Sequence, residues 1–339
     1  MTDVSDCRIV FVLAGGNALG AYQAGVYQAL HEAGLTPEWI VGTSIGAANG
    51  AIMAGNAPED RLARLREFWR PAVGAASLCY GESAETWRRS GEALATLLAG
   101  RAGMFAPIGT ALATRETPGL YDTAPLSRTL ARLIDFDRLN QGTIRYTIQA
   151  VALDSGAGRL FDTHKDRIGV DHIRASGAMA PAFPPIAIDG MLFVDGGLAA
   201  NLPLDPVLEQ ADHRPLLCIA IDLLPLAGPH DPTIGSLIAR IQDLALAAQS
   251  RRIIESWQHR YGCDPALSDR AVTLAHLTYA TQHREVAGKA MDFSAASVRQ
   301  RWDAGVRDGD ALLAGLRDGT IPLGQPGLNL VAIPQGERP

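Results

Sequence analysis

The chain has 339 residues, of which 47% are hydrophobic and 19% are charged, and its net charge is −6. This composition is typical of one large globular domain or two smaller ones and excludes a disordered chain. The negative charge gives no electrostatic basis for binding nucleic acid. The four cysteines are scattered and form no C-x-x-C pair, so we expect neither a disulfide framework nor a zinc site.

The first residues lack the basic segment and apolar stretch of a secretion signal. The apolar run from Ile9 to Ala14 is also too short to cross a membrane. We therefore expect a soluble cytoplasmic protein.

Residues 8–14 form a β-branched and aromatic run, which predicts a strand buried on both faces of a parallel sheet. A glycine loop, residues 15–20, and a helical pattern follow. A dinucleotide site uses this layout, but its G-x-G-x-x-G pattern needs glycine where Asn17 stands. The other use is an oxyanion hole, in which backbone N–H groups of the loop face a developing negative charge. The next motif favours the oxyanion hole.

That motif is Gly42-Thr-Ser44-Ile-Gly46, which follows a short apolar run at residues 39–41. A serine between two glycines, at the turn from a strand into a helix, is the pattern of a nucleophile elbow. The helix N-terminus would add backbone N–H groups and positive potential. The alternative is an ordinary turn serine that caps a helix.

Residues 59–70 are predicted to form a helix with an apolar core-facing stripe. Residues 74–118 are rich in glycine, alanine and serine, with one helical piece around 85–98. This segment is either a surface insertion or a mobile cover over an apolar substrate.

A hairpin is predicted from residues 145–153 and 159–162. The short apolar strand 191–194 then ends at Asp195-Gly196-Gly197. A carboxylate followed by two glycines can be approached closely by another loop, so Asp195 is a second candidate for chemistry. The alternative is a simple Asp-Gly turn.

Residues 216–224 are predicted to form another buried strand, which completes an α/β domain spanning 8–225. Residues 226–339 are predicted to be a mainly helical extension packed on that domain. The extension contains an amphipathic helix over 233–258, a strand over 271–279 and a helix over 293–316 with Ser294 as its N-cap.

A serine nucleophile normally needs a base, usually a histidine held by an acid. His276 and His283 come late enough for the order Ser, Asp, His of α/β-hydrolases, but neither lies in a glycine-punctuated loop. The alternative is a two-residue site in which Asp195 deprotonates Ser44 directly.

Three motifs resemble those of the patatin-like phospholipases in kind, order and spacing: Gly15-Gly16-x-x-x-Gly20, Gly42-Thr-Ser44-Ile-Gly46 and Asp195-Gly196-Gly197. The flanking residues 20–26 and 176–185 agree as well, so the resemblance covers roughly residues 8–225. Residues 240–316, with Asp292-Phe-Ser and Arg301-Trp, more loosely resemble the C-terminal extension of one subgroup.

The resemblance implies a three-layer α/β/α fold with a mostly parallel central sheet. It also implies hydrolysis of lipid acyl esters through an acyl-enzyme, with Ser44 as nucleophile and Asp195 as general base. Backbone amides of Gly15, Gly16 and Asn17 would bind the oxyanion. We expect a lipid or other hydrophobic ester as substrate, transient contact with a membrane surface, and no metal or cofactor.

The sequence departs from the family at Asn17, which replaces a third glycine, and at Leu19, which replaces a basic residue. Leu19 removes a cation that could hold the loop or an anionic head group. Asparagine is the non-glycine residue that best tolerates positive φ. Three alternative functions follow: a catalytically weak lipid- or acyl-binding protein, a thioesterase or polyester depolymerase, and, more remotely, a dinucleotide-dependent oxidoreductase.

Overall fold

A computed structural model describes the following parts of the chain: 3–71, 82–109, 118–210, 214–228, 232–280, 282 and 285–333. The predicted insertion or cover at 74–118 therefore lies partly outside the described residues, and so does His283.

The described residues include eleven helices and eleven strands. The helices are α1 (Ala21–Glu32), α2 (Ile45–Ala54), α3 (Pro58–Phe68), α4 (Glu82–Ala99), α5 (Ala124–Leu133), α6 (Phe136–Gln141), α7 (Val170–Ser176), α8 (Asp205–Leu208), α9 (Ile234–Cys263), α10 (Pro265–Ser268) and α11 (Ala295–Arg317). The strands are β1 (Arg8–Leu13), β2 (Trp39–Thr43), β3 (Ala106–Pro107), β4 (Tyr121–Asp122), β5 (Arg145–Ala152), β6 (Gly158–Asp162), β7 (Ile186–Ile188), β8 (Met191–Asp195), β9 (Leu216–Asp222), β10 (Ala271–Thr278) and β11 (Gly327–Ala332).

Nine strands form one central sheet in the order β11-β10-β9-β1-β2-β5-β8-β7, with β6 paired to β5. All pairs from β11 to β5 along this order are parallel. The pairs of β5 with β6, β5 with β8 and β7 with β8 are antiparallel. The predicted mostly parallel sheet is confirmed. The predicted hairpin is the β5–β6 pair.

Both faces of the sheet are covered, which gives the predicted three layers. Phe11 and Leu13 of β1 point to a core shared with α1, α2 and α11. Val10 and Val12 point to the opposite core, which α8 and the C-terminal half of α9 cover. Since all four side chains are fully buried, β1 reads as a continuous apolar run rather than an alternating one.

The region after residue 225 joins the same sheet. Strand β10 pairs with β9, and β11 pairs with β10. The strand over 271–279 and the helix capped by Ser294 are confirmed, whereas β11 was not predicted. Helix α11 crosses α1 at backbone distance, because a Cβ at Gly25 would overlap the carbonyl of Trp302.

The long helix α9 differs from the expected packing in its first half. Its predicted apolar stripe is exposed at every position, with exposed fractions of 40% to 80%. That stripe consists of Ile234, Leu237, Ile238, Ile241 and Leu244. The helix contributes fully buried apolar side chains only from Ala247 onward, because its first half extends past the two cores. Among the helices that the structure describes, none combines the length and apolar character that a membrane span requires.

Candidate active site

Ser44 lies at a sharp turn between β2 and α2. Its backbone has φ +55° and ψ −119°, a region that non-glycine residues rarely adopt and that is typical of strained functional positions. The turn is tight enough that a Cβ at Gly46 would overlap the carbonyl of Leu13 on β1. The strand, turn and helix of a nucleophile elbow are therefore present, with the Ser44 side chain half-buried.

A hydrogen-bond chain holds this turn from below. The N–H of Ser44 donates to the hydroxyl of Ser176 over 2.9 Å, and that hydroxyl donates to the carbonyl of Gln149 over 2.6 Å. Ser176 is fully buried at the end of α7, and Gln149 lies on β5. The elbow is thus tied to the neighbouring strand through a side chain for which no role was predicted.

Asp195 ends β8 and is 2% exposed. Its carboxylate accepts the N–H of Gly197 over 2.7 Å and a hydrogen bond from the hydroxyl of Ser44. Burial raises the pKa of Asp195 from 3.8 to about 6, although these two hydrogen bonds act in the opposite direction. The structure therefore brings Ser44 and Asp195 together. The other motif glycines, Gly20, Gly42, Gly196 and Gly197, are all buried.

The glycine loop between β1 and α1 lies beside Ser44. The N–H of Gly15 donates to the carbonyl of Asn201 over 3.2 Å, and the Asn201 amide donates back to the Gly15 carbonyl over 3.3 Å. Among the described residues, no acceptor lies on the N–H groups of Gly16 and Asn17. Of the three amides expected to bind an oxyanion, these two are the available donors.

Asn17 has φ +50°, the left-handed conformation that asparagine tolerates better than other side chains. Its side-chain amide lies 3.6 Å from the Met291 sulfur. The replacement of glycine by asparagine is therefore compatible with the backbone of this loop.

A cavity of about 510 Å³ opens above these groups. Its wall includes Ser44, Asp195 and the loop residues 15–17. Most of the remaining lining is apolar and comes from separate parts of the chain, including Leu19, Leu97, Phe105, Leu126, Phe183 and Leu246. Leu97 belongs to α4, within the predicted insertion or cover, so part of that segment borders the cavity.

Charged side chains are few in this lining. Lys289 pairs with Asp243 at the side of the cavity formed by α9, and Arg174 lies near α7. None of the histidines that the structure describes lines the cavity. His276, one of the two considered as a base, lies on β10 with its Nε2 atom 3.7 Å from the Asp222 carboxylate.

The sequence and fold were compared with known proteins. The family model described as patatin-like phospholipase matches residues 11–208, and a second, described as patatin phospholipase, matches residues 238–317. Human patatin-like phospholipase domain-containing protein 6 is 27% identical over 199 residues. Lysophospholipase NTE1 of Yarrowia lipolytica is 25% identical over 208 residues.

These matches cover 58% and 61% of this chain but only 12% of each relative. Among solved structures, VipD from Legionella pneumophila aligns with a TM-score of 0.40 at 14% identity, over 88% of this chain and 67% of that one.

Proposed function

Since the chain belongs to the patatin-like phospholipase family, we propose that it is a serine acyl hydrolase that cleaves lipid or other hydrophobic esters through an acyl-enzyme. One observation carries the proposal. The hydroxyl of Ser44 is hydrogen-bonded to the buried carboxylate of Asp195 within an apolar cavity, beside the glycine loop. A nucleophile and base within hydrogen-bond reach are what covalent catalysis requires.

In this reaction the carboxylate of Asp195 takes the proton of Ser44 as its oxygen attacks the ester carbonyl. The carbonyl oxygen becomes negatively charged in the tetrahedral intermediate, and the N–H groups of Gly16 and Asn17 donate to it. Asp195 then returns the proton to the departing alcohol, which leaves an acyl group on Ser44. A water molecule, deprotonated by Asp195, attacks the acyl-enzyme and releases the acid.

The electrostatics of the site support these roles. With a pKa of about 6, Asp195 is ionised at pH 7 and yet more basic than an exposed aspartate. The N-terminus of α2 begins immediately after Ser44 and contributes positive potential where negative charge develops. Asn17 keeps the loop conformation, so its presence does not favour the catalytically weak binding protein.

The cavity favours an acyl chain as the buried part of the substrate, because its lining is mostly apolar. A curated relative is named a lysophospholipase, so lysophospholipids are the first lipids to test. Thioesters and polyesters undergo the same acyl transfer and belong in the same screen.

Helices α4 and α9 support contact with a lipid surface. Leu97 of α4 and Ile238 of α9 line the cavity, and both helices expose large apolar side chains, including Trp87 at 81% and Ile234 at 80%. Exposed apolar residues on two helices that border the substrate cavity favour shallow insertion into a bilayer interface. We therefore propose that these helices contact the lipid surface from which substrate enters.

A fluorophosphonate probe and a set of p-nitrophenyl esters, phospholipids and lysophospholipids test the hydrolase. We expect Ser44 to be labelled and acyl product to be released, and both Ser44→Ala and Asp195→Asn to abolish turnover with the fold retained. A wild-type protein that neither takes the label nor releases acyl product would remove the proposal.

Vesicle flotation tests the lipid surface. The variant Leu237→Gln/Ile241→Gln alters exposed α9 residues outside the cavity lining, and Leu153→Gln/Met191→Gln is the matched control at exposed apolar positions elsewhere. We expect only the α9 variant to lose vesicle binding and vesicle hydrolysis, with both variants unchanged on a soluble short-chain ester. Equal vesicle binding by the two variants would contradict this surface.

A further inference from the structure

Arg301 of α11 is fully buried and touches the glycine loop. Its Nη1 atom donates to the carbonyl of Ala18 over 3.1 Å and to the carbonyl of Asp292 over 2.7 Å. Its Nη2 atom donates to the carbonyl of Lys289 over 3.1 Å. The remaining two N–H groups bind both carboxylate oxygens of Glu285 over 2.9 and 2.7 Å. All five guanidinium donors are therefore used.

The Glu285 carboxylate fixes the direction of this guanidinium. A bidentate pair holds the planar fork in one orientation, so Nη1 has a fixed aim toward Ala18. Burial raises the pKa of Glu285, but Arg301 and Arg89 lower it by more, so the net pKa is below the usual range. The cation that meets the loop is thus itself held by an ionised carboxylate.

The carbonyl that Arg301 binds belongs to the turn that presents the oxyanion donors. Leu19 N–H donates to the Gly16 carbonyl over 3.1 Å and closes this turn, while Ala18 directs its own carbonyl outward to Arg301. On the cavity side of the same turn lie the N–H groups of Gly16 and Asn17. The Met291 sulfur contacts the Asn17 amide, so the segment 289–292 also reaches the loop.

We propose that Arg301 is a positioning residue of the active site: it holds the glycine loop in the orientation that aims the N–H groups of Gly16 and Asn17 at the oxyanion. In the primary sequence the family's basic residue is absent at position 19, where a buried leucine stands. A guanidinium that arrives from 283 residues away supplies a cation to this loop instead. The proposal rests on the proposed function, because it assigns a task within that reaction.

Arg89 offers a matched control in the same buried cluster. It is 1% exposed and binds Glu285 over 2.8 Å and Asp292 over 3.1 Å, the acidic residues that surround Arg301. Its hydrogen bonds with described residues do not include the glycine loop. A change at Arg89 therefore disturbs the cluster without releasing Ala18, whereas a change at Arg301 does both.

The test compares Arg301→Lys with Arg89→Lys on a soluble p-nitrophenyl ester. Lysine keeps the charge but has three donors for five acceptors. Misplacement of catalytic groups by about 1 Å can cost about 10²-fold in rate. We expect Arg301→Lys to lower kcat by about 10- to 100-fold with KM unchanged, and Arg89→Lys to keep the wild-type kcat.

Two further readouts separate positioning from general destabilisation. A boronic acid inhibitor forms a tetrahedral anion on Ser44, so we expect its inhibition constant to rise in Arg301→Lys in proportion to the loss of kcat. Hydrogen exchange in the peptide covering residues 15–20 should accelerate in Arg301→Lys only. This second readout needs no activity, so it tests the proposal even if the wild-type protein proves not to be a hydrolase.

If Arg301→Lys does not fold, the pair Arg301→Met/Glu285→Gln and Arg89→Met/Glu285→Gln replaces it. Each double variant removes one cation and one anion, so the buried cluster stays neutral. A folded Arg301 variant with wild-type kcat and wild-type exchange at 15–20 would overturn the proposal. Equal losses in the Arg301 and Arg89 variants would overturn it as well.

Discussion

Replacing Asp195 with asparagine is expected to remove activity and at the same time stabilise the fold. The carboxylate is 2% exposed, and burial raises its pKa from 3.8 to about 6. That shift corresponds to roughly 3 kcal/mol by which the ionised form is disfavoured in the native state. Asparagine has the same shape and can accept the Gly197 N–H through its oxygen, but it carries no charge.

The sign of the pH dependence follows from the same shift. Between pH 3.8 and about 6 the native state binds more protons than the unfolded state, so wild-type stability falls as the pH rises through this window. We expect Asp195→Asn to exceed the wild-type free energy of unfolding by up to about 3 kcal/mol at pH 8, and by less than about 1 kcal/mol at pH 4.

Urea denaturation followed by tryptophan fluorescence at both pH values measures this difference. Ser44→Ala is the control, since it removes the nucleophile but leaves the buried carboxylate in place, so no stabilisation that grows with pH is expected. An Asp195→Asn variant that is no more stable than wild type at pH 8, or equally more stable at both pH values, would refute the reasoning. So would substantial turnover by that variant.

Three further outcomes are expected. The value of kcat/KM for a soluble ester should rise with pH as a single ionisation centred near pH 6, because Asp195 must be ionised to accept a proton; a flat profile from pH 5 to 8 would contradict this. Gly46→Ala should lower the urea midpoint sharply or prevent soluble expression, because its Cβ overlaps the Leu13 carbonyl; a wild-type midpoint would show that the turn can relax. Asn17→Gly should change kcat more than the melting temperature, since glycine keeps φ +50° without a side chain; an unchanged kcat would show that the loop tolerates asparagine.

The features predicted from the sequence are those that lie close together in the chain. Ser44 could be placed at a strand-to-helix turn because the apolar run, the two glycines and the helix formers are consecutive. Asp195 could be placed at a strand end for the same reason. That the two side chains meet was inferred from motif order, and the contact itself depends on how β8 pairs with β5.

The supporting contacts could not be predicted, because they join distant segments. The hydroxyl of Ser176 and the N–H of Ser44 are separated by 132 residues, and no local pattern relates them. The Gly15 N–H was expected to face substrate, and only the fold shows that the Asn201 carbonyl accepts it. Strand β11 was missed because only alternate positions carry leucine or valine and none is fully buried.

Helix α9 shows a different limit of sequence patterns. The spacing of Ile234, Leu237, Ile238 and Ile241 predicts an amphipathic helix, which is confirmed. Periodicity indicates that one face is apolar, but it does not indicate what that face contacts. In the structure this face is exposed beside the cavity, where a core interpretation would have buried it.

The placement of β9 in the interior of the sheet bears on how the protein is made. Every residue of β9 is buried, and its outer neighbour β10 is translated about fifty residues later. A nascent chain that had reached only residue 225 would contain both Ser44 and Asp195 but would leave one edge of an entirely apolar strand unpaired. Such edges recruit other chains, so truncation at this point is expected to yield aggregates and not a small active enzyme.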